Sequence, residues 1–226
     1  MIGFGSTEIA KAYLGGTEIS KMYLGNELVF GGEESSITIL ENVGLRCVSA
    51  YIELPDLGLS NVGISVDGKF NSITNSNSNC IAMRGSWYNN QNPFRLITYS
   101  NKFQVYHFSQ YIDSGIASDT SRHTFELRGG NFIIDSTVVN TYDFDIPTHT
   151  RATQDYYINI GSYHSRTNKS SGSNHTIYSV RIYNDSDVLV SDYRPAYSSV
   201  EDKYLLYDIV RKYELYPASG TLEIDE

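Results

Sequence analysis

Three observations in the sequence predict an all-β protein. Runs of extended residues alternate between apolar and polar side chains, most clearly at Val62, Ile64 and Val66. Short groups of Gly, Asn, Asp and Ser separate these runs at roughly the 8–12-residue spacing of a sandwich or barrel. The composition includes 19 Tyr and 18 Gly, which is typical of strands joined by polar turns.

Length and charge narrow the class of protein further. A chain of 226 residues suits one all-β domain with a small additional element. The balance of 17 basic against 26 acidic residues gives a net charge of −9, which repels phosphate backbones, so we expect no nucleic-acid partner. No signal peptide and no apolar run approaching the roughly 20 residues of a membrane helix is visible, so we expect no membrane insertion.

The first strands are predicted within an internal repeat. Residues 7–15 (TEIAKAYLG) recur as residues 17–25 (TEISKMYLG), and residues 27–30 form a truncated third copy. The pairs Gly15-Gly16 and Gly25-Asn26 predict the two tight turns of a three-stranded meander. A short helix over residues 8–14 is the alternative, because Ala, Lys and Leu are good helix formers.

This repeat is too small to bury its own apolar side chains. We therefore interpret residues 1–32 as an anchor that docks on a partner surface or on the rest of its own chain. Its candidate contact residues are Ile9, Tyr13, Leu14, Ile19, Tyr23, Leu24, Leu28 and Phe30. A Gly- and Glu-rich break at residues 31–36 predicts the boundary with a second unit, residues 33–226.

The second unit reads as a succession of short strands. Turns are expected at Gly129-Gly130 and at Ser100-Asn101. Cys47 and Cys80 fall inside strand-like runs without a metal-binding or redox spacing, which favours buried thiols. The candidate strands are residues 37–40, 47–54, 62–70, 80–87, 94–99, 103–108, 123–128, 132–134, 138–140 and 156–163.

The C-terminal stretch has the clearest pattern. Residues 176–183 alternate as a half-buried strand, and the polar turn formed by Asn184, Asp185, Ser186 and Asp187 leads into a second strand at residues 188–193. Pro195 lacks an N–H donor, so pairing is expected to stop there.

The motifs IYSVRIYN (177–184), VLVSDYRPA (188–196), LYDIV (206–210) and KYELY (212–216) carry a resemblance to a known family. They resemble the closing strands of concanavalin A-like, laminin-G type jelly-roll domains in phage and prophage tail and fibre proteins. One departure is the turn at residues 184–187, where the family pattern has Asp-Gly. The likeness is specific over residues 163–216, and the repeat at residues 7–25 resembles the start of phage structural proteins.

The resemblance implies a concanavalin A-like jelly-roll sandwich and a non-enzymatic virion protein, a tail- or head-fibre component. It implies a homo-oligomer bound to other virion proteins, with a lectin-like domain that binds host surface glycan. A polysaccharide-degrading glycoside hydrolase of jelly-roll type and a host-encoded lectin are the alternatives.

Sugar binding is predicted where aromatic side chains meet polar loops, because sugars stack on rings and bond to amides and hydroxyls. These loops follow or contain Trp87, Tyr88, Asn92, Tyr163 and His164. The alternative for Trp87 is a core position.

Catalytic and metal sites have weak sequence support. The only carboxylate cluster that suggests glycoside hydrolysis contains Glu223, Asp225 and Glu226, and we expect no strand to hold it. Neither a metal site nor a catalytic triad follows from the His spacing, so no cofactor is expected. Structural calcium is possible at Asp56, Asp67, Asp113 and Asp119, but their spacing also suits solvated turns.

Overall fold

A computed structural model describes residues 12–14, 17–19, 22–24, 27–30, 36–55, 57–59, 61–73, 80–84, 94–107, 110–146, 158–161 and 174–225, with the backbone alone before residue 36 and at 83–84. These residues form strands and turns. They include no helix, and therefore no helix that could span a membrane. The strands are β1 (Ala12–Leu14), β2 (Thr17–Ile19), β3 (Met22–Leu24), β4 (Glu27–Phe30), β5 (Ile37–Ile39), β6 (Gly44–Glu53), β7 (Val62–Phe70), β8 (Cys80–Arg84), β9 (Phe94–Tyr99), β10 (Lys102–His107), β11 (Gln110–Ala117), β12 (His123–Arg128), β13 (Asn131–Ile134), β14 (Thr137–Thr141), β15 (Ile158–Ile160), β16 (Asn174–Asn184), β17 (Leu189–Ser198), β18 (Lys203–Asp208), β19 (Tyr213–Leu215) and β20 (Ser219–Asp225).

Sixteen of the described strands form one antiparallel sheet that is nearly closed. Its main path runs β11-β10-β9-β8-β15-β6-β16-β7-β12-β13-β14, and β5, β17, β18, β19 and β20 extend it from β16 and β6. The two ends of the path meet where the Asn140 side chain on β14 donates a 2.8 Å hydrogen bond to the Asp113 carbonyl on β11. The predicted all-β class is therefore confirmed.

Strand β6 connects the two halves of this sheet. Its first part pairs with β16, and its last residues, Ile52 and Glu53, pair with β15. Between the two parts lies Ser49, which has a φ of +48°. Here the register with β20 shifts, which marks a bulge, and a bulge bends the strand. The bend explains how one sheet wraps around a core.

The core is centred on three phenylalanines from two neighbouring strands, β7 and β12, and from the more distant strand β10. Phe70 on β7, Phe103 on β10 and Phe125 on β12 are fully buried, with ring centroids 5.0–5.9 Å apart. Contacts at these distances add to the apolar burial that stabilises the fold. The alternating residues of β7 predicted to face inward are all buried.

Local turn chemistry was predicted well. Gly129 and Gly130 have φ values of +56° and +75° and join β12 to β13, and Ser100 and Asn101 turn β9 into β10 with φ values of +52° and +59°. The predicted strand bounds 62–70, 94–99 and 123–128 agree with β7, β9 and β12. The sequence interpretation missed β11, in which only one residue is buried.

The expectation for Pro195 was half right. Pairing of β17 with β16 does end at Tyr193, but the strand continues to Ser198. It continues because β5 replaces β16 as its neighbour, and the Pro195 carbonyl accepts the Leu40 N–H at 2.9 Å. Proline is tolerated at this exchange of partners because it can still accept a hydrogen bond.

In the N-terminal repeat, both predicted turns join paired strands. β1 pairs with β2 and β3 pairs with β4, each across two residues. The expected three-stranded meander is wrong, because its middle strand is divided into β2 and β3, which belong to separate sheets. The helix alternative is wrong at residues 12–14. Of the predicted anchor residues, Ile9 lies outside the described residues, as do residues 31–35 of the predicted boundary.

Candidate functional site

The residues predicted to bind sugar all lie outside the described residues: Trp87, Tyr88, Asn92, Tyr163 and His164. The strands that precede them are described. β8, which leads towards Trp87, ends at Arg84 opposite Ile158, whereas β15, which leads towards Tyr163, ends at Ile160 opposite Ala82. Because β8 and β15 are antiparallel, the chain leaves β8 and β15 in opposite directions.

A cleft lies at the end of the sheet where β7 begins. Its cavity measures about 280 Å³ and is formed by the β12–β13 turn, the β16–β17 turn, the start of β7 and the segment after β14. Four carboxylates line it, from Asp143, Asp145, Asp185 and Asp187, and all four residues are exposed. No Lys or Arg of the described residues belongs to the lining, and Arg128 pairs with one of the four carboxylates, that of Asp187, at 3.4 Å.

The turn between β16 and β17 holds two of these carboxylates. The Asn184 side-chain oxygen accepts hydrogen bonds from the N–H groups of Ser186 at 3.0 Å and Val188 at 2.9 Å. Asp187 has a φ of +61° and donates its N–H to the Asn184 carbonyl at 2.9 Å. These bonds fix the turn, as predicted from its polar residues, and present Asp185 and Asp187 at the rim.

The segment after β14 supplies the other two carboxylates and two rings. Along residues 142–145 the side chains alternate, so Tyr142 and Phe144 are half-buried while Asp143 and Asp145 are exposed. Phe144 stacks on the His107 ring at 3.9 Å and contacts the Tyr142 ring at 4.6 Å. Each ring is thereby held in place beside an acidic residue.

Backbone contacts hold this segment against the rest of the cleft. The Tyr142 N–H donates to the Gly130 carbonyl at 2.8 Å, and the Ile146 N–H donates to the Asn61 side-chain oxygen at 2.8 Å. The Asn61 amide donates in turn to Asp145 at 3.1 Å. A Cβ atom on Gly130 would lie 3.2 Å from the Tyr142 carbonyl, so the close approach suits glycine.

Burial sets the protonation of two groups near the cleft. It raises the pKa of Tyr142 to about 12, so the phenol remains a hydrogen-bond donor at neutral pH. Burial also lowers the pKa of His107, although the Asp143 charge opposes this shift. The cleft therefore combines carboxylate and amide acceptors with neutral rings, which suits a ligand rich in hydroxyl groups.

Sequence reasoning missed this cleft. The signals were the aromatic and acidic alternation YDFD at residues 142–145 and the NDSD turn at residues 184–187. The turn was identified as a connection only, and the YDFD segment follows an exposed strand with no turn motif of its own. Only the sheet brings the two segments together.

The proposed calcium donors are held by cations or by a histidine. Asp67 pairs with Arg122, Asp113 with Lys102 at 2.7 Å, and Asp119 with His123 at 3.0 Å. Asp56 lies outside the described residues. In the described ranges, no group of three or more His, Cys, Asp or Glu side chains is arranged to hold a metal ion.

The expectation that no strand holds the C-terminal carboxylates is wrong. Glu223 and Asp225 lie in β20, which was missed because its partner β6 is far away in the sequence. Glu223 forms a 2.6 Å ion pair with Arg46, and Asp225 forms a 2.5 Å ion pair with Lys69. Glu226 lies outside the described residues.

Compared with known proteins, the chain matches no family model, no curated protein and no solved structure.

Proposed function

We propose that this chain is a non-enzymatic structural protein of a bacteriophage particle, a component of a tail or head fibre. In this proposal its β domain is a concanavalin A-like jelly roll that faces outward and binds glycan on the host surface. The N-terminal repeat attaches it to other virion proteins or to neighbouring copies. The motifs at residues 163–216 and the repeat at residues 7–25 support this class of protein.

The observation that carries glycan binding is the cleft between the β12–β13 and β16–β17 turns. Hydroxyl groups of a sugar donate to carboxylates such as Asp143 and Asp185, while its apolar face covers a half-buried ring such as Phe144. The ring stacking and the hydrogen-bonded turns hold these groups in position before the ligand arrives, which lowers the entropic cost of binding.

A cleft of this size binds one or two sugar units, so a single contact is weak. Several copies on one fibre raise the apparent affinity through effective concentration. Oligomerisation is therefore part of the proposal, because it converts weak contacts into stable attachment to a cell.

The anchor follows from the two N-terminal hairpins. An isolated two-stranded hairpin is marginally stable in water at best, and full burial of each large apolar side chain would contribute about 1.5–3 kcal/mol. Residues such as Tyr13, Leu24 and Phe30 therefore favour a partner surface.

Binding to host cells, measured with the full-length oligomer, tests the cleft. We expect the Asp143→Ala, Asp185→Ala double variant to bind at least about tenfold more weakly. The matched control is Glu201→Ala, an exposed carboxylate in the turn between β17 and β18. Equal binding by both variants would remove the cleft from the proposal, and loss of binding in Trp87→Ala or Tyr163→Ala alone would move the site to the predicted loops.

Deletion of residues 1–32 tests the anchor. We expect the remainder to retain its melting temperature and to be absent from assembled virions. Normal incorporation of the truncated protein would contradict the anchor, and failure to fold would show that the repeat belongs to the folded core.

A further inference from the structure

A second cavity, also of about 280 Å³, lies away from the acidic cleft. It is enclosed by the turn after β5, the residue before β12, strands β16 and β17, and the residue after β18. Two arginines, Arg122 and Arg194, line it together with Tyr178 and one carboxylate, that of Glu41. Its apolar wall includes Pro195 and Ile209.

Arg122 is fixed on two sides. Its Nε and Nη2 atoms lie 2.7 and 2.6 Å from the two carboxylate oxygens of Asp67. Its guanidinium carbon lies 3.9 Å from the centroid of the Tyr178 ring. A bidentate bond at one edge and a ring beneath the plane leave little freedom of orientation.

Arg194 is held in a similar way by a more buried carboxylate. Its Nη2 donates to Asp192 at 2.7 Å, and its Nε also lies 2.7 Å from the other oxygen, without the alignment of a hydrogen bond. The Asp192 side chain is only 7% exposed. This buried partner anchors the guanidinium group at the cavity wall.

Both arginines have donors left over. A guanidinium group carries five N–H donors, and the aspartate at its Nε and Nη2 edge occupies at most two of them. Among the described residues, none accepts a hydrogen bond from Nη1 of either arginine. Two oriented groups with unused donors therefore line one cavity.

We propose that this cavity binds an oxyanion, the carboxylate or phosphate group of a small ligand, between Arg122 and Arg194. Carboxylate and phosphate oxygens match the planar donor fork of arginine. Pro195 and Ile209 contact the uncharged remainder of the ligand. The site differs from the acidic cleft, because two arginines face one carboxylate here, whereas four carboxylates and no Lys or Arg of the described residues line the cleft.

The test uses the full chain and calorimetric titration with inorganic phosphate, glucuronate and glucose. We expect phosphate or glucuronate to give heat of binding and glucose to give none. Which of the two anions binds more tightly distinguishes a phosphate ligand from a carboxylate ligand. The Arg122→Gln, Arg194→Gln double variant should bind at least about tenfold more weakly. The matched control is Arg46→Gln, because Arg46 is 44% exposed and paired with Glu223 at 2.6 Å, while Arg122 is 48% exposed and paired with Asp67 at 2.6 Å.

A second variant keeps the test decisive if the double variant does not fold. Ile209→Trp leaves both arginines in place and fills the cavity from its exposed wall, and we expect the same loss of binding. Failure of the wild type to bind either anion would overturn the proposal. An equal loss in Arg46→Gln would also overturn it, because that result would indicate a general effect of charge.

Discussion

Two histidines occupy matching places on either side of β7 and have opposite environments. His123 on β12 and His175 on β16 each precede a threonine, and they pair with Gly68 and Phe70 of β7. Both rings contact the phenylalanine cluster, since His175 lies 4.8 Å from Phe70 and His123 lies 5.1 Å from Phe103. The two histidines therefore contact the same core and differ in their polar surroundings.

His175 lies where the core is closed to solvent, a region that we call the dry end. The residue is 0% exposed, and neither ring nitrogen has a hydrogen-bond partner in the described part of the chain. Burial lowers its pKa to about 3, so the ring is neutral at physiological pH. Across the strand pair its neighbour is Cys47, whose pKa burial raises to about 12.

His123 lies where the core reaches the surface, a region that we call the wet end. Its Nδ1 lies 2.6 Å from Asp135 and its Nε2 lies 3.0 Å from Asp119, and its side chain is 14% exposed. Burial alone would lower its pKa, but hydrogen bonds and charge from these two aspartates outweigh burial and raise it. The same residue type is thus an uncharged, unpaired core group at one end and a group paired with two aspartates at the other.

The largest effect is expected at the dry end, from Gly161→Ala. A Cβ atom there would lie 2.5 Å from the Cys47 sulfur, and the glycine has a φ of +87°. Both the contact and the backbone conformation oppose a side chain, so we expect a loss of at least about 3 kcal/mol in the free energy of unfolding.

The matched control for Gly161→Ala is Gly115→Ala. Gly115 has a φ of +73° and no neighbouring atom within 4 Å of an added Cβ. Its loss should be about 1–2 kcal/mol, the conformational cost alone. Urea unfolding measures both variants, and equal losses would contradict tight packing at the dry end.

The next effect concerns the pH dependence of His175. Its folded pKa lies below its unfolded value near 6.5, so the unfolded state binds a proton that the folded state does not, and stability falls as the pH decreases from 6.5 towards 3. Above pH 6.5 the ring is neutral in both states and this loss is absent. The slope is about 1.4 kcal/mol per pH unit. His175→Leu should remove this dependence and add about 1 kcal/mol at pH 7, because an unpaired buried polar group is lost.

Urea unfolding of wild type and His175→Leu at pH 7 and pH 5 measures this difference. The advantage of the variant should widen at the lower pH. A variant that is less stable by the same amount at both values would show that the ring nitrogens are satisfied in the folded protein.

His123 should show the opposite sign with a smaller magnitude. Its folded pKa is raised, so its contribution is fully present below pH 6.5 and is lost as the pH rises through the folded pKa. Since Asp119 and Asp135 are each 53% exposed, solvent screening limits the expected loss in His123→Gln to about 1 kcal/mol at pH 6. The difference between wild type and variant should shrink at pH 9, and a difference that grows with pH would reverse the assignment.

The sequence predicted much of the local structure and little of this contrast. Alternation and turn residues identified β7, β9 and β12 because their signals lie within about ten residues. The segments RHTF and NHTI around the two histidines look alike, so no local rule separates them. The difference arises because β6 pairs beside His175, whereas the Asp135 turn and Asp119 reach His123.

The same limit explains the candidate sites. The polar turn at residues 184–187 was recognised, but its meeting with residues 142–145 depends on strands distant in sequence. Likewise β20 has few apolar residues and becomes a strand through its pairing with β6. Patterns of period two specify strands, and only the sheet order specifies which side chains share a cavity.

The smallest effect is expected on the outer face of β6, one residue from the dry end. There Arg46 and Glu223 form an ion pair at 2.6 Å, and their side chains are 44% and 49% exposed. An exposed pair gains little because solvent screens it and two flexible side chains lose freedom, so Glu223→Gln should change the free energy of unfolding by less than about 0.5 kcal/mol. Combined with Glu226→Gln, it should also leave any turnover of polysaccharide unchanged, because the proposed function assigns these carboxylates no chemistry. Urea denaturation measures the free energy of unfolding, and a reducing-sugar assay measures the turnover of polysaccharide. A stability loss as large as that of His123→Gln would remove the distinction between the outer face and the wet end, and turnover that disappears in the double variant would contradict a non-enzymatic protein.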